Sequence, residues 1–572
     1  MKTRLISLVT LLLGASLALH ASNDLFRNGK SGYVIAVGQA ASASEQTAAR
    51  ELQQYIEAVG GVRLPIVNYC LSGKFISVGY NNLTQEALGG SVPQATDESF
   101  VCRSKDGNLY IYGGRDRGTM YGVYAFLEKY LGIRWYTPEY TKIPKMDRCP
   151  LEEVDFRQSP AIKYRFVQYR NAFRDAAWMA HNRNNATSTA LSNEYGGISG
   201  YWGCHTSAQF IPPAKYFESH PEYFSLRNGK RVADSQLCLS NPEVLRLCIE
   251  AMKNTIAKHP DYWVYDMSQN DNFLWCECPR CKAMEDHYGG HSGLFLWFVN
   301  RVADAIRADW PDKYIGTFAY QYTRQAPRNI VPRDNVLIRL CSIECDFSHP
   351  IAETAFNRPF LKDLQDWSKI APTLFIWDYV VNFNQYLAPY PNFGVLAANI
   401  KTFRDHHAIG IQEEAQYQSD GAEFSEMKAW VLARLLWDPE QDTDALVKEF
   451  ITDYYGPAAP QVQAYFDLCR SRIQDDTVMG FAFDQNHPLY DDAFVEASWK
   501  LLEAGRAAVS GDAELTARID RVRAQILFLK EMRNPEASKA DGTKDELLRI
   551  IREGNIRVRE WQSNEQFINS LP

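Results

Sequence analysis

The sequence predicts an α/β protein built around a (β/α)₈ barrel, with a small α/β domain before the barrel and a helical domain after it. The 572 residues are enough for several domains, and the composition, with 46% hydrophobic and 23% charged residues, is that of a folded globular protein. Short apolar strands alternate with helical stretches over residues 155–430, and the remainder is helical almost throughout. The formal charge of −8 argues against nucleic acid as a partner.

The chain opens with a basic and apolar leader. Lys2 and Arg4 precede an apolar run over residues 5–19, which ends at Leu-His-Ala before Ser22. The run is shorter than the roughly 20 residues that a bilayer span needs. We therefore expect residues 1–21 to be a secretory signal peptide and the mature protein to be periplasmic or secreted, without a transmembrane segment or a lipid-bearing cysteine.

Three regions follow the leader. Residues 22–150 alternate strand and helix periods, which predicts a small α/β domain with a mixed sheet. Residues 431–572 carry helical periodicity broken by turn signals, which predicts a helical domain. Between them, the barrel region has eight candidate strands, at residues 164–167, 200–205, 236–240, 263–268, 315–319, 336–341, 374–378 and 408–413.

Acidic residues follow several of these strands. The C-terminal ends of barrel strands carry the functional site, so we expect Asp271, Glu344, Asp378 and one member of the pair Glu413–Glu414 to converge there. Adjacent strand residues face opposite sides, and Glu414 lies on the more polar face, so Glu414 is the expected member. Each has a structural alternative: a turn or helix cap for Asp271, a surface loop carboxylate for Glu344, a salt bridge for Glu414, and bonds to loop amides for Asp378.

Four motifs together resemble a known bacterial family. They are LGIRWYTP at 131–138, HPEYFSL at 220–226, SQNDNFLWCECPRC at 268–281 and ITDYYGPAA at 451–459. The sequence resembles bacterial proteins with the domain of unknown function 4838, part of which is glycoside hydrolase family 163. Its front domain is similar to those that precede the barrels of glycoside hydrolase families 20 and 67. The resemblance implies a retaining hydrolase of glycans that contain N-acetylglucosamine, like the endo-beta-N-acetylglucosaminidases that act on N-glycans.

Glycosidic hydrolysis needs a proton donor at the leaving oxygen and a second group that stabilises an oxocarbenium-like transition state. We assign the general acid/base to Glu344 or Glu414, and the orienting or stabilising role to Asp271. The acetamido oxygen of a 2-acetamido sugar can itself act as the nucleophile, and the carboxylate then orients the amide. The expected sugar-binding residues are polar or aromatic side chains near strand ends, namely Asn270, Asn272, Trp202, His205, Tyr322, Trp377, Tyr379 and Tyr417.

Cys276, Cys278 and Cys281 form a C-x-C-x-x-C motif just after Asp271, with His287 six residues further on. In an exported protein we favour a disulfide, while zinc bound by the three thiolates and His287, or free thiols, stay open. In each case the motif would pin the loop that bears Asp271. We expect no cofactor and no metal ligand in the catalytic site.

Two rival functions remain from the sequence. An exo-acting glycosidase on another sugar, such as a uronic acid, would need a basic residue aimed at the substrate carboxylate, and Arg165, Arg170 or Arg339 could serve. A non-catalytic glycan-binding protein on a degenerate barrel is the other rival. The expected partner is a glycan or glycoprotein, and the oligomeric state is left open.

Overall fold

The computed structural model describes residues 23–68, 73–151, 153–186 and 191–571. The predicted signal peptide lies outside these ranges. Within them, no helix combines the length and the apolar character that crossing a membrane requires.

The front region holds a mixed six-stranded sheet and three helices. The strands are β1 (Asp24–Arg27), β2 (Tyr33–Val37), β3 (Ile66–Val67), β4 (Lys74–Val78), β5 (Phe100–Lys105), β6 (Asn108–Gly113), β7 (Arg134–Trp135), β8 (Thr141–Lys142), β9 (Arg148–Pro150) and β10 (Asp155–Gln158). The sheet has the order β10-β5-β6-β4-β2-β3, while β1 pairs with β9 and β7 with β8. The helices are α1 (Ala43–Gly60), α2 (Asn82–Leu88) and α3 (Gly118–Leu131), of which the first and the third pack on the sheet.

Strand β10 belongs to this front sheet, although the sequence analysis placed residues 155–158 at the start of the barrel region. Its four residues pair antiparallel with β5, from Asp155 opposite Arg103 to Gln158 opposite Phe100. The first strand of the central sheet begins at Tyr164.

The central region is a curled parallel sheet of seven strands with a short hairpin outside it. The strands of this region are β11 (Tyr164–Gln168), β12 (Gly200–Trp202), β13 (Leu226–Arg227), β14 (Lys230–Arg231), β15 (Tyr262–Asp266), β16 (Tyr314–Ala319), β17 (Val336–Cys341), β18 (Leu374–Tyr379) and β19 (Ala408–Glu414). The sheet has the order β11-β19-β18-β17-β16-β15-β12, and β13 and β14 form the hairpin. The predicted fold class is confirmed. The helices of this region are α4 (Arg170–Phe173), α5 (Ala176–His181), α6 (Ser207–Phe210), α7 (Pro213–Tyr216), α8 (Pro242–Lys258), α9 (Pro279–Tyr288), α10 (His291–Arg307), α11 (Arg358–Ile370), α12 (Phe393–Asp405) and α13 (Ser425–Trp437).

The predicted strand at residues 236–240 is wrong. The segment makes one isolated bridge, between Phe224 and Leu237, instead of joining the sheet. Its polar members bond to neighbouring loops: the backbone oxygen of Gln236 accepts from the N–H of Ser225 at 2.9 Å. The segment is apolar enough to resemble a strand, but it packs outside the sheet.

Large rings fill the interior of the curled sheet. Tyr164, Tyr201 and Phe375 belong to one buried cluster there. Two glycines make room for these rings: a Cβ on Gly316 would lie 2.0 Å from the Tyr201 hydroxyl oxygen, and one on Gly410 would lie 2.3 Å from the Phe375 ring. Side chains therefore fill the interior of the curled sheet, and a ligand-binding site has room only at the ends of the strands.

The C-terminal region is helical, and one of its loops reaches back to the central sheet. The segment between its last two helices forms backbone hydrogen bonds with the loop that follows β18. The N–H of Tyr386 donates to the carbonyl of Val558 at 2.8 Å, and the N–H of Glu560 donates to the carbonyl of Phe383 at 3.1 Å. The helices of this region are α14 (Thr443–Tyr455), α15 (Ala459–Ser471), α16 (Asp492–Ala508), α17 (Ala513–Arg533), α18 (Pro535–Asp541), α19 (Thr543–Gly554) and α20 (Asn564–Ser570).

The favoured disulfide in the C-x-C-x-x-C motif is not supported. The eleven cysteines of the described ranges are all free thiols. Cys276, Cys278 and Cys281 are buried together with a fourth cysteine, Cys238.

Candidate active site

A cavity of about 530 Å³ opens at the C-terminal ends of the central strands. This is the end at which barrel enzymes hold their substrates, and the volume lies in the ordinary range for ligand pockets. Its walls come from strands β11, β16, β17, β18 and β19, the loops that follow the strands, and the C-terminal region. The lining residues are Gln168, Cys204, His205, Asp271, Phe318, Tyr320, Gln321, Cys341, Ile343, Trp377, Tyr379, Phe383, Glu414, Tyr417, Phe481, Glu560 and Trp561.

Glu414, the last residue of β19, lies in the wall of this cavity, on the side that strand alternation predicts. It is only 9% exposed, and its Oε2 accepts a hydrogen bond from Nε1 of Trp377 at 2.7 Å. Burial raises the pKa of Glu414 to about 8, and the negative charges of Glu560 and Asp271 act in the same direction. The Trp377 bond and the charge of Arg339 oppose them. Glu414 is therefore protonated at neutral pH and can donate a proton.

Glu560, in the C-terminal region, contributes another carboxyl group to the cavity. The hydroxyl of Tyr417 donates to Glu560 Oε1 at 3.3 Å, and the Glu560 N–H bonds to the carbonyl of Phe383 at 3.1 Å. Burial raises the pKa of Glu560. Next to it, Trp561 is 58% exposed at the cavity rim. Neither residue was predicted, because no local sequence pattern marks a loop that returns to the sheet from more than a hundred residues away.

Asp271 lies on the loop between β15 and α9, and its exposed side chain lines the cavity. Its Oδ1 accepts from the hydroxyl of Tyr320 at 3.3 Å. The described structure therefore gathers Asp271, Glu414 and Glu560 around one cavity.

Asn270 and Asn272 shape the loop on either side of Asp271 and are not among the residues that line the cavity. Nδ2 of Asn270 donates to the carbonyl of Ser235 at 2.8 Å. Nε2 of Gln236 donates to the Asn270 carbonyl at 2.7 Å and to Oδ1 of Asn272 at 3.1 Å. Their expected role as sugar ligands is corrected to a role in the loop, because their side chains are already bonded to protein.

His205 and Gln321 add polar atoms to the cavity wall. Nδ1 of His205 lies 2.8 Å from the carbonyl oxygen of Gln269, so Nδ1 carries a proton and donates it to that oxygen. Nε2 of Gln321 donates to the Tyr320 hydroxyl at 2.9 Å, while its Oε1 is buried without a hydrogen-bond partner. Gln321 directly follows β16 and Tyr320, so its position after a strand was the signal that could have found it.

Aromatic rings make up much of the wall. Of the predicted sugar-binding aromatics, Trp377, Tyr379 and Tyr417 line the cavity. Flat rings of this kind suit the apolar faces of sugars. The other aromatic lining residues are Phe318, Tyr320, Phe383, Phe481 and Trp561.

Asp378 faces away from the cavity, which corrects its expected catalytic role. Trp377 and Tyr379 face inward, so strand alternation turns Asp378 to the other side of β18, where it is 3% exposed and opposite Glu413 in register. It accepts a hydrogen bond from the hydroxyl of Ser342, and burial raises its pKa to about 6.

Glu344 is also absent from the cavity wall. Its side chain is 40% exposed and its Oε2 accepts from Nη1 of Arg324 at 3.0 Å. The alternative interpretation, a surface loop carboxylate, describes its position.

Two predicted aromatic ligands pack elsewhere. Trp202 stacks on Phe210, with ring centroids 6.2 Å apart, and Tyr322 packs against Trp275 at 5.3 Å. Neither belongs to the cavity lining. Both are packed rings, which is the commoner fate of an aromatic residue in a large protein.

The arginines proposed for a uronic acid are engaged with other groups. Arg165 is fully buried, and its Nη2 lies 2.6 Å from a carboxylate oxygen of Glu98 in the front region. Arg170 pairs with Asp420 at 2.7 Å. Arg339 is 3% exposed beneath the cavity, where it stacks on aromatic rings. Among the described residues, neither lysine nor arginine lines the cavity.

Comparisons with known proteins found one matching family model and several similar solved structures. A family model described as domain of unknown function (DUF4838) matches residues 135–467. No curated protein matches the chain. A solved family GH115 4-O-methyl-alpha-glucuronidase, with specificity for decorated arabinogalactans, is 13% identical at a TM-score of 0.59, covering 92% of this chain and 77% of that one. The chitobiase of Flavobacterium johnsoniae is 11% identical at a TM-score of 0.48, covering 96% of this chain and 97% of that one. The likeness to the first of these structures shows a shared fold.

Proposed function

We propose that this chain, which belongs to the DUF4838 family, is a glycoside hydrolase that cleaves glycans at N-acetylglucosamine. The observation that carries the proposal is the cavity at the C-terminal ends of the strands, where aromatic rings surround Asp271, Glu414 and Glu560. Aromatic walls suit a saccharide, and carboxyl groups in different environments suit acid catalysis and charge stabilisation.

Glu414 is the proton donor in this mechanism. Since its pKa is about 8, it holds a proton at neutral pH and gives that proton to the glycosidic oxygen as the bond to the anomeric carbon breaks. The hydrogen bond from Trp377 stabilises the carboxylate that this transfer leaves.

Asp271 orients the acetamido group of the sugar. Its carboxylate accepts a hydrogen bond from the acetamido N–H, and the acetamido oxygen attacks the anomeric carbon to close an oxazolinium ring, whose positive charge the Asp271 carboxylate offsets. Water then adds to the anomeric carbon and gives a proton to Glu414, which reopens the ring and restores the acid. Two inversions at one carbon give net retention.

The preferred sugar is uncharged. Among the described residues, acidic side chains line the cavity and neither lysine nor arginine does. A uronic acid carboxylate would therefore lie near like charges, without a cation to pair with. The exo-acting uronic acid rival is therefore disfavoured. The binding-protein rival is disfavoured too, because a buried carboxyl group with a strongly raised pKa in a cleft is typical of a catalytic acid.

We further propose that the protein is exported and cleaves N-glycans in an endo mode. Trp561, exposed at the rim, offers a ring to sugar units beyond the cleaved bond. The resemblance to endo-beta-N-acetylglucosaminidases and the apolar leader at residues 1–21 support this substrate and an exported protein.

The test is a product profile from an N-glycosylated protein. We expect intact mass spectrometry to find one N-acetylglucosamine left on the protein and a glycan lacking that unit in solution, with these products formed about 10²–10⁴-fold more slowly by Glu414→Gln. Release of monosaccharides alone would contradict the endo mode. Binding of the glycan without cleavage by the wild-type protein would contradict hydrolysis.

A further inference from the structure

We propose that Cys238, Cys276, Cys278 and Cys281 bind one zinc ion as a four-thiolate site beside the catalytic loop. The four sulfur atoms all lie within 4.8 Å of one another. All four side chains are buried, with exposures between 0% for Cys281 and 7% for Cys278. This site is separate from the catalytic cavity and does not depend on the proposed function.

The sulfur separations fit tetrahedral coordination. Sγ of Cys238 lies 3.7 Å from Sγ of Cys278 and 3.8 Å from Sγ of Cys281. Four sulfurs at about 2.3 Å from a central zinc lie about 3.8 Å apart along each edge of a tetrahedron. A disulfide would need about 2.05 Å, so these separations match a shared ion better than a covalent bond.

Hydrogen-bond donors surround the sulfurs. The N–H of Leu226 points at Cys276 Sγ at 3.4 Å, and the N–H of Cys281 points at Cys278 Sγ at 3.5 Å. Nη1 of Arg231 lies 3.8 Å from Cys276 Sγ. Four thiolates on zinc carry a net charge of −2, and donors of this kind around metal ligands stabilise that charge and fix the ligands.

The local sequence explains how the ligands meet. Cys278 is the N-cap of α9 and Cys281 lies in its first turn, which is the geometry that a C-x-x-C pair needs to share a metal. Cys276 comes two residues earlier. Cys238 arrives from the segment that the sequence analysis misread as a strand, and it takes the place expected for His287, which lies at the far end of α9 outside the sulfur cluster.

The ion would hold the catalytic loop in position. Gln236, two residues before Cys238, bonds to the backbone on both sides of Asp271 through Asn270 and Asn272. The opposite end of the same loop leads into Cys276. Zinc would therefore tie together the two segments that fix Asp271, so the four cysteines act as positioning residues.

Elemental analysis of the protein purified without chelator is the first test. We expect one zinc per chain, and four thiols that react with a mercurial as that zinc is released. Cys238→Ser and Cys281→Ser should lower the zinc content at least about tenfold, whereas Cys248→Ala, which removes a buried cysteine outside the cluster, should keep it.

Cobalt substitution of the wild-type protein keeps the proposal testable if the variants fail to fold. Tetrahedral thiolate coordination predicts sulfur-to-cobalt charge-transfer bands and intense ligand-field bands in the visible spectrum. Peptide mapping that finds two disulfides among the four cysteines and no bound metal would overturn the proposal. Four reactive thiols and no metal after incubation with zinc would overturn it as well.

Discussion

Replacing Glu414 by glutamine should remove most of the hydrolytic activity and change how stability depends on pH. Burial raises the pKa of Glu414 from its ordinary 4.5 to about 8. Between these two values the folded protein holds a proton that the unfolded chain has released, so the free energy of unfolding falls as the pH rises through that window. At about 1.4 kcal/mol per pH unit, the loss reaches at most about 5 kcal/mol near pH 8.

Glutamine has no proton to lose, so Glu414→Gln escapes this loss. We would measure the free energy of unfolding of both proteins by urea titration and subtract the wild-type value from that of the variant. This difference should increase from pH 4.5 to pH 8 and be constant below pH 4.5. General acid catalysis contributes about 10²–10⁴-fold, and the rate should fall by that factor.

Glu344→Gln is the matched control for this experiment. Its carboxyl group is exposed, is paired with Arg324 and is not part of the cavity wall, so the variant should keep both the pH dependence and most of the activity. A stability difference between Glu414→Gln and the wild type that does not change with pH would refute the burial argument. An active Glu414→Gln variant would refute the assignment of the acid.

Three further substitutions separate the roles in the cavity. Asp271→Asn should slow hydrolysis about 10²–10³-fold, also on aryl glycosides with good leaving groups. Such substrates need little protonation, so they should partly restore the kcat/KM of Glu414→Gln but not that of Asp271→Asn. Equal restoration in both variants would contradict the orienting role. Glu560→Gln removes a like charge that raises the pKa of Glu414, so the alkaline limb of the pH–rate profile should move to lower pH. Trp377→Phe removes a donor to the ionised carboxylate, so the same limb should move up; shifts of one sign in both variants would contradict this assignment.

Strand periodicity predicted most of the central sheet and part of the site. Seven of the eight expected strands are present, and the alternation rule placed Glu414 rather than Glu413 in the cavity wall. The same rule, applied to Asp378 between Trp377 and Tyr379, would have turned it outward. These features were predictable because strand geometry is local.

The remaining features depend on contacts between distant segments. Glu560 and Trp561 reach the cavity through backbone bonds to loops near residues 383 and 386, and no local pattern signals such a return. Cys238 joins the cysteine motif from 38 residues earlier in the chain, so spacing alone pointed to His287. Asn270 and Asn272 have the chemistry of sugar ligands, but the partner that occupies them, Gln236, is visible only in three dimensions.

A crystal structure of Glu414→Gln with an N-glycan bound would show whether Glu414 and Asp271 act on the same sugar. We expect the scissile glycosidic oxygen at hydrogen-bond distance, about 3 Å, from the side-chain amide of residue 414, with the acetamido N–H on Asp271. A glycan whose scissile bond lies away from both residues, or one bound outside the aromatic cavity, would contradict this expectation.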